Sequence, residues 1–233
     1  MRSETRCAAL IGANRCRRYH CFAHETRVIA VILLVLTGCG DSVDKNGVDK
    51  SGGWQILWSY DMPPKPTMDG SSWYFDFPTG TNCPRKCPGV HYVMKPYNKK
   101  LEYGGELVIT GRIEVTGNPT FNYKFEKANT CDFPAHARAM VQRKNDDMRA
   151  EDNRYFGSRI AIPLAPSNFS ATIPLKEGQW TNVDGKFNLS GFKKTLEDIG
   201  NVGLTFGGGC FYGHGVNVSG GTARFVVTGY DFK

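Results

Sequence analysis

Residues 138–155 bring together side chains that could bind a polar ligand. Arg138, Gln142 and Asn145 carry planar groups with paired hydrogen-bond donors or acceptors, and Tyr155 adds an aromatic ring. Sugars are bound by this combination, because the aromatic ring packs on C–H groups while the planar groups meet hydroxyls. We predict a ligand site here. The alternative is a solvated strand and loop.

Two further segments carry candidate ligand-binding residues. The glycine-rich segment 207–215 contains Tyr212 and His214, and its glycines permit positive φ values and a close approach of the backbone. It predicts either a ligand rim or only a tight turn. Trp180 follows a predicted strand and is interpreted as a stacking platform or as a core aromatic.

Short β-strands must position these residues. Apolar residues alternate with polar ones, most clearly at 107–115, and Gly, Pro, Asn and Asp separate the runs. One short helix is predicted over 191–199, with Ser190 as its N-cap and Gly200 at its end. Many strands without regular strand–helix alternation predict an all-β fold, an antiparallel β-sandwich of jelly-roll type with one short helix.

The first part of the chain predicts export. Residues 28–36 form a run of nine apolar residues, which is too short to span a bilayer but fits the core of a signal peptide. The sequence Leu36-Thr37-Gly38-Cys39 that follows resembles the lipobox of bacterial lipoproteins. The resemblance implies that Cys39 is lipidated and becomes the first mature residue. Because the segment before the apolar run is long, we also predict that translation starts downstream of Met1.

The resemblance divides the chain into three parts. Residues 1–38 are a signal peptide, 39–53 are the lipidated cysteine and a flexible polar tether, and 54–233 are the sandwich domain. The implied location is the bacterial cell envelope, with the lipid anchor in a membrane. Gly40 resembles the pattern that sorts some lipoproteins to the outer membrane.

The charge of the chain gives no support for a nucleic-acid partner. The whole chain carries +7, but residues 1–38 contain six arginines and two glutamates. Removing them leaves 23 basic and 20 acidic residues, a charge of +3, without a basic run that would follow a phosphate backbone. We therefore expect no nucleic-acid binding.

The cysteines beyond Cys39 are predicted to form disulfides, because an exported protein occupies an oxidising compartment. Of three possible connectivities, the favoured one is suggested by closeness in sequence: Cys83–Cys87 together with Cys131–Cys210. A zinc site of two cysteines with His136 and His214 is the less favoured alternative.

From residue 105 onwards the order of strands resembles a jelly-roll carbohydrate-binding module. The resemblance rests on Ile173-Pro174-Leu175 leading to Trp180, on 199–206 and on the final strand 223–232. Some of these modules hold a structural calcium ion between the first and last strands, which makes Asp76 and Asp231 calcium candidates here. No other cofactor is implied.

These observations predict a membrane-anchored lipoprotein whose domain binds carbohydrate without catalysis. One alternative is a structural or protein-binding surface lipoprotein. The other is a glycoside hydrolase-like enzyme, which is disfavoured because adjacent carboxylates such as Asp146-Asp147 point to opposite faces of a strand. These two carboxylates could instead bind calcium, which prefers oxygen ligands.

Overall fold

The computed structural model describes residues 53–80, 89–123, 133–147, 149–209 and 213–233. In this part of the chain, twelve strands and one α-helix form a sandwich of two antiparallel sheets. The elements in chain order are β1 (Gln55–Leu57), β2 (Thr67–Asp69), β3 (Ser72–Asp76), β4 (Tyr92–Pro96), β5 (Glu106–Tyr123), β6 (His136–Arg143), β7 (Arg154–Gly157), β8 (Ile162–Pro163), β9 (Ser167–Pro174), β10 (Trp180–Asn182), α1 (Leu189–Glu197), β11 (Ile199–Gly207) and β12 (Val216–Phe232).

The two antiparallel sheets confirm the predicted all-β sandwich. The chain passes between them several times. One sheet has the order β1-β4-β11-β6-β7-β10, with β8 beside β6, and the other has the order β2-β3-β12-β5-β9. All the strand pairs are antiparallel. The five-stranded sheet is centred on the long pair β5–β12, in which Leu107 lies opposite Phe232 and Tyr123 lies opposite Val216.

The core lies between the sheets and is rich in aromatic rings. Phe75, Phe206 and Phe225 are buried, and their ring centroids lie 5.3–5.7 Å apart. Aromatic rings at these distances gain stabilisation beyond the burial of their area. The rings come from both sheets, so they fix the packing of one sheet on the other.

The predicted helix exists but begins earlier than its sequence pattern indicates. It spans Leu189–Glu197, and its N-cap is Asn188, whose side chain accepts a hydrogen bond from the Gly191 N–H. Ser190 therefore lies inside the first turn and is not the cap. Ile199 and Gly200 already belong to β11. No helix in the described residues is long and apolar enough to cross a membrane.

Several predicted features lie outside the described residues. They are the signal peptide, the lipidation site Cys39, almost all of the tether, and Cys83, Cys87, Cys131, Cys210 and Tyr212. They stay predictions from the sequence.

Candidate functional site

The outer face of the seven-stranded sheet carries an ordered set of polar and apolar side chains. Side chains alternate between the two faces of a strand. In β6, Ala137, Ala139 and Val141 belong to the core, so His136, Arg138, Met140 and Gln142 lie on the outer face. The registers of the neighbouring strands extend these positions into rows that cross the sheet.

An apolar strip runs across the middle of the outer face. It consists of Met94, Gly203, Met140 and Phe156, which lie directly opposite one another on β4, β11, β6 and β7. The three side chains of the strip pack with Tyr92 and are buried, in a cluster separate from the main core. Gly203 contributes no side chain to the strip.

A first polar row, Asn201, Gln142 and Arg154, flanks the apolar strip on one side. The Asn201 amide donates to Gln142 Oε1 at 2.9 Å, and the Gln142 amide donates to Asp146 Oδ2 at 2.9 Å. Arg154 Nε lies 2.9 Å from the same Asp146 oxygen, and both charged side chains are buried. The row is thus a connected network that ends in a buried ion pair, which suits the rule that buried charges must be paired.

A second polar row, Tyr92, Thr205 and Arg138, flanks the strip on the other side. Arg138 Nε donates to His136 Nε2 at 2.7 Å, and Arg138 also donates to the Ser158 carbonyl at 3.2 Å. Because Nε2 accepts, His136 Nδ1 carries the proton and donates to the Pro134 carbonyl at 2.8 Å. Burial and the neighbouring guanidinium lower the pKa of His136 to about 4, so its ring is neutral at pH 7.

Two exposed aromatic rings border the second polar row. The Trp58 side chain is 52% exposed and meets Tyr92 edge to face at 5.4 Å, while Phe133 is 51% exposed. The Arg138 guanidinium lies 5.7 Å from the centre of the Phe133 ring. Tyr92 and Arg138 are separated by β11, which places them about 10 Å apart across the sheet. The exposed rings therefore stand at two separate points along one row.

The structure places two of the predicted ligand-binding residues on the same face of one strand. Arg138 and Gln142 lie on the outer face on opposite sides of the apolar strip, and each is only 4% exposed. Asn145 lies in the loop after β6 with a positive φ of 55°, and His214 lies in the connection between β11 and β12. Asn145 and His214 lie outside the three rows of the outer face.

Tyr155 and Trp180 lie on the core side, so the prediction of both as ligand-binding residues is corrected, and Trp180 is the core aromatic of the alternative interpretation. Trp180 is 2% exposed, stacks on Phe192 at 5.5 Å and donates through Nε1 to the Pro174 carbonyl at 2.9 Å. Tyr155 is fully buried and packs on the same Phe192 ring at 5.2 Å. A ring whose two faces are covered by the core has no surface for a ligand.

Asp152 explains why the polar residues near Tyr155 are structural. Its Oδ1 accepts hydrogen bonds from the Tyr155 hydroxyl at 3.0 Å and the Asn182 amide at 2.9 Å. Its Oδ2 accepts from the Asn188 amide at 2.8 Å, and its carbonyl accepts from Thr195 at 3.2 Å. One carboxylate thus connects β7, β10 and the N-terminus of α1.

The two calcium candidates do not form one site, which corrects that prediction. Both carboxylate oxygens of Asp76 accept from Arg224, at 2.7 and 3.0 Å. Asp231 lies seven residues beyond Arg224 on β12, which corresponds to about 23 Å along a strand. Within the described segments, no three His, Cys, Asp or Glu side chains are grouped to hold a metal ion.

The other predicted metal ligands are likewise engaged in contacts within the protein. Asp146 is committed to Arg154 and Gln142, and Asp147 lies 3.6 Å from the Arg149 side chain. Both ring nitrogens of His136 are engaged, so this residue has no lone pair directed at a zinc ion.

Sequence reasoning missed the residues that give the outer face its exposed aromatic surface. Trp58 follows Trp54 and Ile56 at the same spacing, so alternation predicts that it points into the core. Its φ of 50° reverses this direction and leaves the ring exposed. Phe133 precedes β6 and belongs to no alternating run, so the sequence carried no signal for it.

Comparison with known proteins identifies no family for this chain. No protein-family model matches the chain, and the search of curated proteins found no match. Any ligand of the outer face has therefore to be inferred from the side chains of that face.

Proposed function

We propose that this protein is an exported, lipid-anchored protein whose sandwich domain binds carbohydrate at the outer face of the seven-stranded sheet. The observation that carries the proposal is the second polar row with its exposed rings. At one end the Arg138 guanidinium lies over exposed Phe133, and at the other end Tyr92 meets exposed Trp58. Exposed aromatic rings beside planar polar groups are the combination that a saccharide needs.

The two kinds of side chain suit the two surfaces of a sugar ring. The C–H groups of a pyranose form an apolar patch that packs on an aromatic ring, while its hydroxyls need donors and acceptors at the edge. Trp58 and Phe133 would make the first contacts because they are exposed. The spacing of about 10 Å between Tyr92 and Arg138 suits two or more linked sugar units better than one.

The contacts of the Asp146 carboxylate at this face favour a binding role over hydrolysis. A glycosidase needs two carboxylic acids about 5–10 Å apart, one of which gives or takes a proton. Asp146 is instead held by Arg154 and Gln142 in a buried ion pair. These contacts give the carboxylate a positioning role within the polar row.

The anchor is proposed from the sequence of residues 28–39. Metabolic labelling with radioactive palmitate should label the protein, and Cys39→Ser should abolish the label. Labelling of the Cys39→Ser variant at the level of the unmodified protein would contradict the lipidation site.

A glycan array tests the binding function. The detergent-purified chain should bind a defined set of glycans, and Trp58→Ala and Phe133→Ala should each weaken that binding at least tenfold, about 1.4 kcal/mol. Tyr103→Ala is the matched control, because this ring is 42% exposed but lies beside Glu177 and Lys193 and belongs to neither polar row. Equal loss in all three variants would contradict the assigned surface.

The burial of the planar groups favours a second candidate, a structural or protein-binding surface protein. Arg138 and Gln142 are only 4% exposed and are hydrogen-bonded within the protein. In that case the two polar rows brace the sheet and the exposed rings contact another protein. A folded protein that binds nothing on the array would support this candidate.

A further inference from the structure

One edge strand of the sandwich, β9, differs from the other edge strands. The strands β1 and β10 at the edges of one sheet and β2 at the edge of the other have three residues each. The strand β8, which pairs only with β6, has two residues, whereas β9 has eight residues and no charged side chain. Proteins commonly protect sheet edges by keeping them short or charged, because an open edge is a template for another strand.

The backbone groups on the open side of β9 follow from its pairing with β5. The Leu175 N–H donates to the Gly105 carbonyl at 2.8 Å, so the backbone groups of alternate residues before it also face β5. The intervening residues Asn168, Ser170 and Thr172 therefore direct their N–H and C=O groups away from β5. Pro174 confirms this parity, because its carbonyl accepts from Trp180 Nε1 on the open side.

The open side of β9 is accessible in the described part of the protein. The strand order ends at β9, and no other described strand pairs with it. The side chains of Asn168, Ser170 and Thr172 are exposed, and the backbone hydrogen bonds made outside the ladders involve none of these three residues. Pro174 has no N–H, so the open stretch ends before it.

We propose that β9 pairs with β9 of a second copy of this chain, in antiparallel orientation about a two-fold axis at Ser170. In this register the backbone N–H and C=O groups on the open side of one β9 lie opposite those of the other. Ser170 faces Ser170 of the second copy, and Asn168 faces Thr172 of the second copy. It would form about six hydrogen bonds between the copies. The two five-stranded sheets become one continuous sheet of ten strands.

The side chains agree with this register on both faces. On the outer side, the facing pairs are Ser with Ser and Asn with Thr, small polar side chains that can hydrogen-bond across strands. On the core side, the large ring of Phe169 faces the small side chain of Ala171 of the second copy. No charges of like sign oppose each other, because β9 carries no charge.

Sedimentation equilibrium of the full chain in density-matched detergent tests the proposal. At roughly 100 µM, the unmodified protein should have twice the mass of one chain, as expected for a dissociation constant in the micromolar range. Ser170→Lys and Ser170→Glu, each alone, place like charges opposite each other at the two-fold axis and should sediment as single chains. An equimolar mixture of the two variants should restore the dimer.

The control is Thr67→Lys, which adds the same charge to the short edge strand β2 and should leave the dimer intact. The mixture distinguishes lost pairing from lost folding, because an unfolded variant could not recover the dimer when mixed. A single-chain mass for the unmodified protein at this concentration would overturn the proposal, as would a Ser170→Lys protein that stays dimeric.

Discussion

The hydroxyl of Tyr155 donates a hydrogen bond of 3.0 Å to the carboxylate of Asp152, which lies three residues earlier in the chain. Burial and this carboxylate raise the pKa of Tyr155 above its usual value, so the hydroxyl keeps its proton. The same oxygen also accepts from Asn182, and this connects β7 to β10. A residue that looked like part of a ligand site is thus a structural donor.

Tyr155→Phe should lower the free energy of unfolding by about 2 kcal/mol, because a hydrogen bond to a charged acceptor is stronger than a neutral one. The control is Tyr230→Phe, which removes a 3.0 Å bond to the neutral Gly203 carbonyl and should cost about 1 kcal/mol. Urea unfolding of the two variants checks the difference. A smaller loss for Tyr155→Phe than for Tyr230→Phe would contradict the role of Asp152.

His136 should make stability depend on pH below neutrality. Its pKa is about 4 in the folded protein and about 6.5 in an unfolded chain, so the unfolded state binds more protons between these values. The contribution of the neutral ring is complete above pH 6.5 and is lost as the pH falls towards 4, by up to about 3 kcal/mol.

His136→Gln has no titrating ring and tests this dependence. Denaturant unfolding between pH 4 and 7 should show a shallower slope for His136→Gln than for the unmodified protein. His214→Gln is the control, because it removes a histidine outside this hydrogen-bonded pair. Parallel curves for His136→Gln and the unmodified protein would show that His136 titrates normally.

The exposed and the buried tryptophan should respond differently to truncation. Trp58→Ala should change the free energy of unfolding by no more than about 0.5 kcal/mol, since its ring is half exposed. Trp180→Ala should cost about 3–5 kcal/mol, because it leaves a cavity beside Phe192 and an unmet acceptor at Pro174. Thermal or urea unfolding measures both, and a large loss for Trp58→Ala would show that this ring is a core residue.

The disulfide between Cys131 and Cys210 stays a prediction from the sequence, because both cysteines lie outside the described residues. The Gly209 N–H donates to the Phe133 carbonyl at 2.9 Å, and these residues lie one and two positions from the two cysteines. Peptide mapping without reduction should recover Cys131 linked to Cys210 and Cys83 linked to Cys87. Recovery of Cys131 linked to Cys83 would contradict this pairing.

The sequence was sufficient for the fold class because alternation is a property of each strand alone. Runs such as Leu107, Ile109 and Ile113 face the core as their spacing indicates. The start of the helix was harder to predict, because Asn188 and Ser190 are both good N-cap residues. The choice of Asn188 depends on Asp152, a distant residue that binds its amide.

The candidate site was harder to predict, because it depends on which face each residue takes. Tyr155 and Phe156 are neighbours and both buried, but one lies in the core and the other in the apolar strip. No local pattern distinguishes them. Trp58 faces outwards only because of a positive φ that few non-glycine residues adopt.

The alternation in β6 limits how this protein could change in evolution. Substitution of Arg138 or Gln142 alters the outer face and leaves the alanines of the opposite face in place. Insertion or deletion of a single residue within β6 would instead exchange the two sets, and it would put a guanidinium in the core and alanines outside. Related chains should therefore keep the length of this strand and vary in length at its ends.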